Sequence, residues 1–451
     1  MDSYSAERHS IAGQRQSVAI VNPCPEIYMI EPEDIPKKIQ EHGPSDIVVG
    51  IASFNDIATI EHVVRIVLQG LQEHFPSLRS VIVHADGGSE DGTPGRVLNT
   101  VTDSGKLIQI PYRHYPAREL IPSYHGVPGK ANALSTIFRA AQALEAKACA
   151  LVGSDLRSIT PDWIRRLIRP VVEENVDFVA PYYLRHKYDG AMTNSIVYPM
   201  IRALYGRRIR HPIGGEFCFS PALIDYCLRQ DTWASDAAQL EIDIWLTIEA
   251  LCGGFRSSQV YLGEKVHDSK DASTDLSGVL VCVLGSLFSE MEKKVKVWQR
   301  VRGSEAVPMY GEPVITGAES VHIDVEKLID SYNLGFRNLI EIWNLVMSPA
   351  TLLELKRLTR RDNGSFRFPD DVWVHIVYDF AVAYHLRTIN RDHLLGAFAP
   401  LYLGWIASFI LQMQSSDAVQ METRIEELCL RYEAEKPYLI SRWRWPDRFN
   451  P

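Results

Sequence analysis

The feature that most constrains this chain is an alternation that starts at Asp46. Short uncharged runs rich in β-branched residues trade places with longer amphipathic ones. "IVVGIAS" (47–53) has the make-up of a strand buried on both faces. "TIEHVVRIVLQGLQEH" (59–74) carries apolar residues at 60, 63, 64, 67, 68 and 71, the spacing of one helical face. "SVIVHA", "LIQIP" (107–111), "ACALVG" (148–153) and "DFVAPYY" (177–183) read as further strands. Helices are predicted over "GKANALSTIFRAAQALEA" (129–146) and "PDWIRRLIRPVVEE" (161–174), with Thr160 as the cap before Pro161. Strands and helices in this order predict a mainly parallel α/β sheet with helices on both faces.

After about residue 272 the pattern becomes helical, interrupted by the linker "GSEAVPMYGEPVITGAES" (303–320). The expected division is a tail with a short helix (1–45), an α/β catalytic domain (46–272) and a helical C-terminal domain (273–451). At 46% hydrophobic and 23% charged residues, the chain has ample material for a core in each domain. "LLGAFAPLYLGWIASFILQM" (394–413) has the length of a membrane span and no charge. Its flanks are amphipathic and no basic cluster borders it, so a helix buried in the helical domain is expected, with no membrane span. A net charge of −9 gives no general attraction to nucleic acid, which is not expected as a partner. The seven cysteines are scattered, which shows neither a zinc site nor a disulfide framework. With a polar N-terminus, this points to the cytoplasm.

In open α/β sheets, ligands bind beyond the carboxyl ends of the strands, and four motifs fall there. "SFND" (53–56) follows the first strand and offers Ser53 and Asn55. "ADGGSEDGT" follows the second; its glycines permit tight turns and Asp86 can accept hydrogen bonds from a ribose or base edge. Either segment, taken alone, also reads as a plain turn. "GVPGKANAL" (126–134) sets Lys130 at a helix start, where backbone N–H groups and a lysine can meet a pyrophosphate; a solvated lysine is the alternative. "LVGSDLRSITPDW" (151–163) puts Ser154 and Asp155 past a buried strand, and a carboxylate there can hold a divalent cation or cap a loop.

Three later clusters add candidates. "HPIGGEFCFS" (211–220) places Gly214, Gly215 and Glu216 in apolar surroundings. "EIDIWLTIEAL" (241–251) sets Asp243 near a helix start, as a site residue or a cap. "GEKVHDSKD" (263–271) offers His267, structural by itself but a candidate second metal ligand beside Asp155.

Taken in order, "SFN", "DGGSEDGT", "GKANAL", "GSDL", "GGEF", "EIDIW" and "KVH" resemble the GT-A retaining glycosyltransferases of the mannosylglycerate, glucosylglycerate and glucosyl-3-phosphoglycerate synthase group. The resemblance covers about residues 46–271. It implies a GT-A nucleotide-sugar-binding sheet, with Ser53, Asn55, Asp86, Lys130, Ser154, Asp155, Gly214 and Gly215 on the donor. It also implies Asp155 and His267 on Mg²⁺ or Mn²⁺, and Glu216 and Asp243 at the transferred sugar. In "LRHKYDGAMT" (184–193), Arg185 and Thr193 resemble the acceptor-binding pair; a guanidinium suits a carboxylate independently. One departure stands out: the first acid of the group's Asp-X-Asp motif is Gly153 here.

The implied activity is transfer of glucose or mannose from a UDP-, GDP- or ADP-hexose to D-glycerate, by a homodimeric enzyme. The alternatives are a 3-phosphoglycerate acceptor, its phosphate held by "YGRRIRH" (205–211), a run that also reads as a solvated helix end, and a non-catalytic nucleotide-sugar-binding protein.

Overall fold

The computed structural model describes residues 39, 41–112, 127–184, 190–234, 240–266, 276–312, 324–360 and 365–445. The uncharged runs form strands β1 (Ile47–Ser53), β2 (Ser80–Asp86), β3 (Leu107–Pro111), β4 (Ala148–Gly153) and β5 (Phe178–Leu184). They join β7 (Phe217–Phe219), β8 (Ser257–Glu264) and β10 (Met309–Tyr310) in one eight-stranded sheet of order β10-β8-β5-β7-β4-β1-β2-β3. Every pairing is parallel except those of β7, which runs antiparallel between β4 and β5. A two-residue ladder, β6 (Arg207–Arg208) with β9 (Glu305–Ala306), lies apart.

All seven residues of β1 and of β2 are buried, because helices cover both faces. On one face, α1 (Ile60–His74), α2 (Thr93–Thr100) and α4 (Pro161–Glu174) turn their apolar stripes inward. Among the residues involved are Val63, Val67, Ile164 and Leu167. The other face is covered by α3 (Lys130–Ala143), α6 (Pro221–Leu228) and the start of α7 (Ile242–Cys252), through Ile137, Phe138, Leu223 and Trp245. A mainly parallel sheet covered on both faces, followed by helices, is the expected fold class.

Between β5 and β7 lies α5 (Tyr198–Tyr205), entered through a π-helical turn over Thr193–Val197. The later chain builds α8 (Leu276–Lys293), the short α9 (Val295–Trp298), α10 (Val325–Val346) and α11 (Pro349–Leu358). It continues with α12 (Asp370–Leu386), α13 (Arg391–Gly396), α14 (Ala399–Met413) and α15 (Ala418–Arg444). One continuous apolar cluster joins α5 and α7 to these helices, running from Met192 to Trp443. Polar ties reinforce the seam. Fully buried Arg202 donates to Glu426 at 2.8 Å and to Glu433 at 2.7 Å, and Arg210 donates to Glu422 at 3.0 Å, all three acids on α15. Arg391–Met413 is long and apolar enough to cross a membrane, and 72% of its apolar window is buried inside the molecule.

Candidate active site

Strand register gathers the motifs at one edge of the sheet. Ser53 pairs with Asp86, Ala52 with Gly153, and Leu184 with Glu264, so β1, β2, β4, β5 and β8 all end there. The antiparallel β7 begins at the same edge, which brings Glu216 to the ends of β4 and β5.

The floor is a chain of buried hydrogen bonds. The Gln109 side-chain amide donates to His84 Nδ1 (3.1 Å), so the ring proton sits on Nε2 and is donated to Ser53 Oγ (2.7 Å). The Ser53 hydroxyl in turn donates to Asp86 Oδ1 (3.0 Å). Burial depresses the His84 pKa to about 4, against the attraction of Asp86 and Asp56, so the ring is neutral at physiological pH. Asp86 also accepts the Gly88 and Ser89 N–H groups at 2.9 Å each and the Ser89 hydroxyl at 2.7 Å. Its carboxylate therefore shapes the loop after β2.

Short polar side chains then fasten that loop to its neighbours. Asn55, in the left-handed region at φ 55°, donates its N–H to Ser89 Oγ and accepts from the Glu90 N–H. Asp56 accepts from the Phe54 N–H and from the Ser154 hydroxyl, and Thr59 Oγ1 donates to the Ser154 carbonyl. Asp91 accepts from the Ile57 N–H. Ser53, Asn55, Asp86 and Ser154 thus belong to one hydrogen-bonded platform.

Gly153 explains its own lack of a side chain. A Cβ there would stand 2.9 Å from Glu216 Oε1 and 3.1 Å from Asp155 Oδ1, closer than ordinary packing allows. The space an acid at 153 would take is filled by the Glu216 carboxylate. Lys265 holds that carboxylate at 2.7 Å while also donating to the Gly214 carbonyl at 2.7 Å, and the Tyr183 hydroxyl donates to the same oxygen of Glu216. A bulge in the β5–β8 ladder at Tyr182/Tyr183, with Gly263 at φ 84°, precedes Lys265. Gly214 packs against Pro181 and Gly215 turns the chain at φ 90°.

Lys130, the first residue of α3, meets Asp243 at 2.7 Å. Asp243 is fully buried in the first turn of α7, and Glu241 caps that helix by accepting the Asp243 N–H at 3.3 Å. Burial works against the Lys130 ammonium, yet Asp243, Glu241 and Glu216 together raise its pKa above the ordinary lysine value. Burial and the charge of Asp243 push the Glu241 pKa above the ordinary carboxylate range, against the pull of Lys130.

Thr193 opens the π-helical turn, fully buried, and its hydroxyl has no hydrogen-bond partner among the described residues. Arg185 and His267 lie outside the described residues. Val266 is described: its carbonyl accepts from the Arg157 N–H (2.9 Å) and its N–H donates to Ser158 Oγ (2.9 Å), just past Asp155. Among the described residues, no three of His, Cys, Asp and Glu gather as a metal cluster.

The cations of "YGRRIRH", read as a phosphate holder for a phosphorylated acceptor, each have a protein partner. Arg207 pairs with Glu305, Arg208 donates to Ser304, and Arg210 meets Glu422 and Asn194. Arg207 and Arg210 thus meet acids of the later chain, and Arg208 a serine there. Four residues carry the site without having been singled out in the sequence: His84, Tyr183, Glu241 and Lys265. Glu241 and Lys265 lie in motifs already noted. His84 and Tyr183 sit inside apolar strands, where one buried polar residue signals a hydrogen-bond network.

No protein-family model matches the sequence, and no curated protein matches it. Solved structures do. One is glucosyl-3-phosphoglycerate synthase from Mycobacterium tuberculosis in complex with Mn²⁺, UDP and phosphoglyceric acid, at 20% identity over 56% of this chain and 82% of that one, TM-score 0.37. The same enzyme with Mn²⁺ and UDP-glucose matches at 20% identity, 56% and 82% coverage and TM-score 0.39. A mycobacterial protein matches at 18% identity, 57% and 78% coverage and TM-score 0.39.

Proposed function

We propose that the chain is a retaining glycosyltransferase that moves glucose or mannose from a nucleotide sugar to D-glycerate. One observation carries the reading: Lys130–Asp243, Glu216–Lys265 and Asp155 converge at the edge where the parallel strands end, beside the Ser53–Asp86 platform. That edge is where open α/β sheets take ligands.

In this reading the loops after β1 and β2 cradle the nucleoside, and Lys130 with the start of α3 faces the diphosphate. Mg²⁺ and Mn²⁺ are commonly held by one or two protein oxygens plus substrate phosphates, so a single carboxylate at a strand end fits. Asp155, with His267, would hold the ion, which when bound supplies neutralisation of charge on the departing diphosphate. Asp243 and Glu216, each kept in place by a lysine, lie where the transferred sugar develops positive charge, and buried carboxylates stabilise such a state. Thr193 and Arg185 receive the acceptor. Unphosphorylated glycerate is preferred over 3-phosphoglycerate because the arginines at 207, 208 and 210 are engaged elsewhere. The cytoplasmic homodimer belongs to the same proposal; light scattering at micromolar concentration that reads a monomer removes the dimer from it.

The test pairs UDP-, GDP- and ADP-glucose and GDP-mannose with glycerate, 3-phosphoglycerate and lactate, with Mg²⁺ or Mn²⁺, reading nucleoside diphosphate release and product mass. Turnover with one pair, abolished in Asp155→Ala and His267→Ala, is expected, and NMR of the product should show an α linkage. A β-linked product would remove the retaining mechanism. Donor binding without transfer or hydrolysis in any combination would favour the non-catalytic alternative.

A further inference from the structure

Away from the strand ends, a cleft of about 390 Å³ opens between α5, the segment 301–303 and the last turns of α15. Its size suits a small metabolite. Pro437 interrupts α15 at this point, since it offers no N–H to the Glu433 carbonyl one turn back.

The charge of the lining is unusual for a chain with a net charge of −9. Lys436, Arg302 and Arg444 all contribute to it, and Glu433 is its one acid. Glu433 is committed elsewhere, accepting from Arg202 at 2.7 Å and from Ser304 at 2.6 Å. None of the three cations has a carboxylate partner among the described residues. Lys436 donates to the Ala203 and Val301 carbonyls (2.7 and 3.0 Å), Arg302 to the Gln299 and Val301 carbonyls, and Arg444 to the Gln299 side chain. An ammonium has three protons and a guanidinium five, so each keeps donors to spare. Lys436 is only 5% exposed. A buried ammonium left without a counter-ion is costly, and an anion in the cleft would remove that cost. Burial and the nearby Arg302 charge bring the Lys436 pKa down to about 8, against the opposing pull of Glu433.

The remaining walls are apolar. Val301, Pro437 and Ile440 line the cleft, and Trp445 at its mouth is 60% exposed, the most exposed large apolar side chain described. An indole face left in water beside a cluster of cations can stack a planar ring.

We propose that this cleft is a second ligand site, which takes a small phosphate monoester carrying a planar ring. The phosphate meets Lys436, Arg302 and Arg444, and the ring lies against Trp445. The site is independent of the reading of the strand ends, since it shares no residue with them.

The test titrates phenyl phosphate into the full chain by calorimetry, with inorganic phosphate and phenol as its two halves. Phenyl phosphate should bind about tenfold or more tightly than inorganic phosphate, a gap typical of one good stacking contact. Trp445→Ala should reduce it to the level of inorganic phosphate, and Arg302→Ala/Arg444→Ala should weaken both anions about tenfold or more. Both variants alter partly exposed side chains, and near-UV circular dichroism confirms their folding. Lys436→Met can fail to fold, so the proposal does not depend on it. Absence of binding at ~10 mM probe, weaker than any millimolar site, would overturn the proposal. So would binding unchanged in both variants, while equal affinity for phenyl phosphate and phosphate would overturn the ring's role.

Discussion

At the scale of single residues, Gly153 and His84 show how much one atom or one proton decides. Adding a methyl at 153 sets Cβ against a carboxylate that Lys265 and Tyr183 hold on its far side, so Glu216 cannot yield cheaply. Gly153→Ala should therefore destabilise the protein by about 1–3 kcal/mol, the usual cost of overpacking. Glu216→Gly strands Lys265 and is destabilising in its own right, but Gly153→Ala should cost less in that background than in the parent chain, and a double-mutant cycle in urea measures the difference. His84 makes a prediction about pH. Its folded pKa of about 4 lies below the unfolded value of 6.5, so between these limits the unfolded chain binds the extra proton. The His84 contribution is complete above pH 6.5, fades as pH falls, and is gone below pH 4. A shift of this size corresponds to roughly 3 kcal/mol. Unfolding free energies at pH 7 and pH 4.5 should thus differ less in His84→Asn than in the parent chain. An equal difference in both would remove the burial account of this histidine.

At the scale of elements, much was legible because parallel strands buried on both faces announce themselves. β1, β3 and β4 occupy the predicted 47–53, 107–111 and 148–153, and α4 spans the predicted 161–174. Thr160 does stand at the N-cap of α4, but its side chain makes no capping bond. Three-residue β7 was not legible: "FCF" is too short for any periodicity, and only its partners on both sides make it a strand. The site followed the same rule. Acids and lysines at strand ends were visible as motifs. The Glu216–Lys265 pairing was not, because a β-bulge and an antiparallel strand set it and neither leaves a local signature. The α5–α15 seam is non-local too, joining residues more than two hundred positions apart. Arg202→Ala removes a fully buried guanidinium from half-exposed Glu426 and from Glu433, which keeps the Ser304 hydroxyl, and should cost about 1–3 kcal/mol, the range for a lost hydrogen-bond partner of a charged group. Arg202→Ala/Glu426→Ala should cost less than the sum of the single changes, and a double-mutant cycle in urea reads that coupling.

At the scale of the whole molecule, the apolar cluster that runs from α5 and α7 into the C-terminal helices makes the two halves depend on each other. Calorimetry of the full chain should show one unfolding transition, with equal calorimetric and van't Hoff enthalpies. Two resolved transitions would mean that the shared cluster is a contact between independent cores. A chain ending at residue 312 would expose Ile201, Leu204, Ile244 and Ile248, now buried with the later helices, and should bind a hydrophobic dye that the full chain does not. The same feature bears on synthesis. The chain is made from its N-terminus, so the sheet with α5 and α7 leaves the ribosome before α15 exists. At ~5–20 residues per second, the stretch from the end of α7 to Trp443 takes on the order of ten to forty seconds to translate. Throughout that interval the side of α5 that α15 covers stays open, so the nascent polypeptide presents apolar surface of the kind chaperones hold until its last long helix arrives.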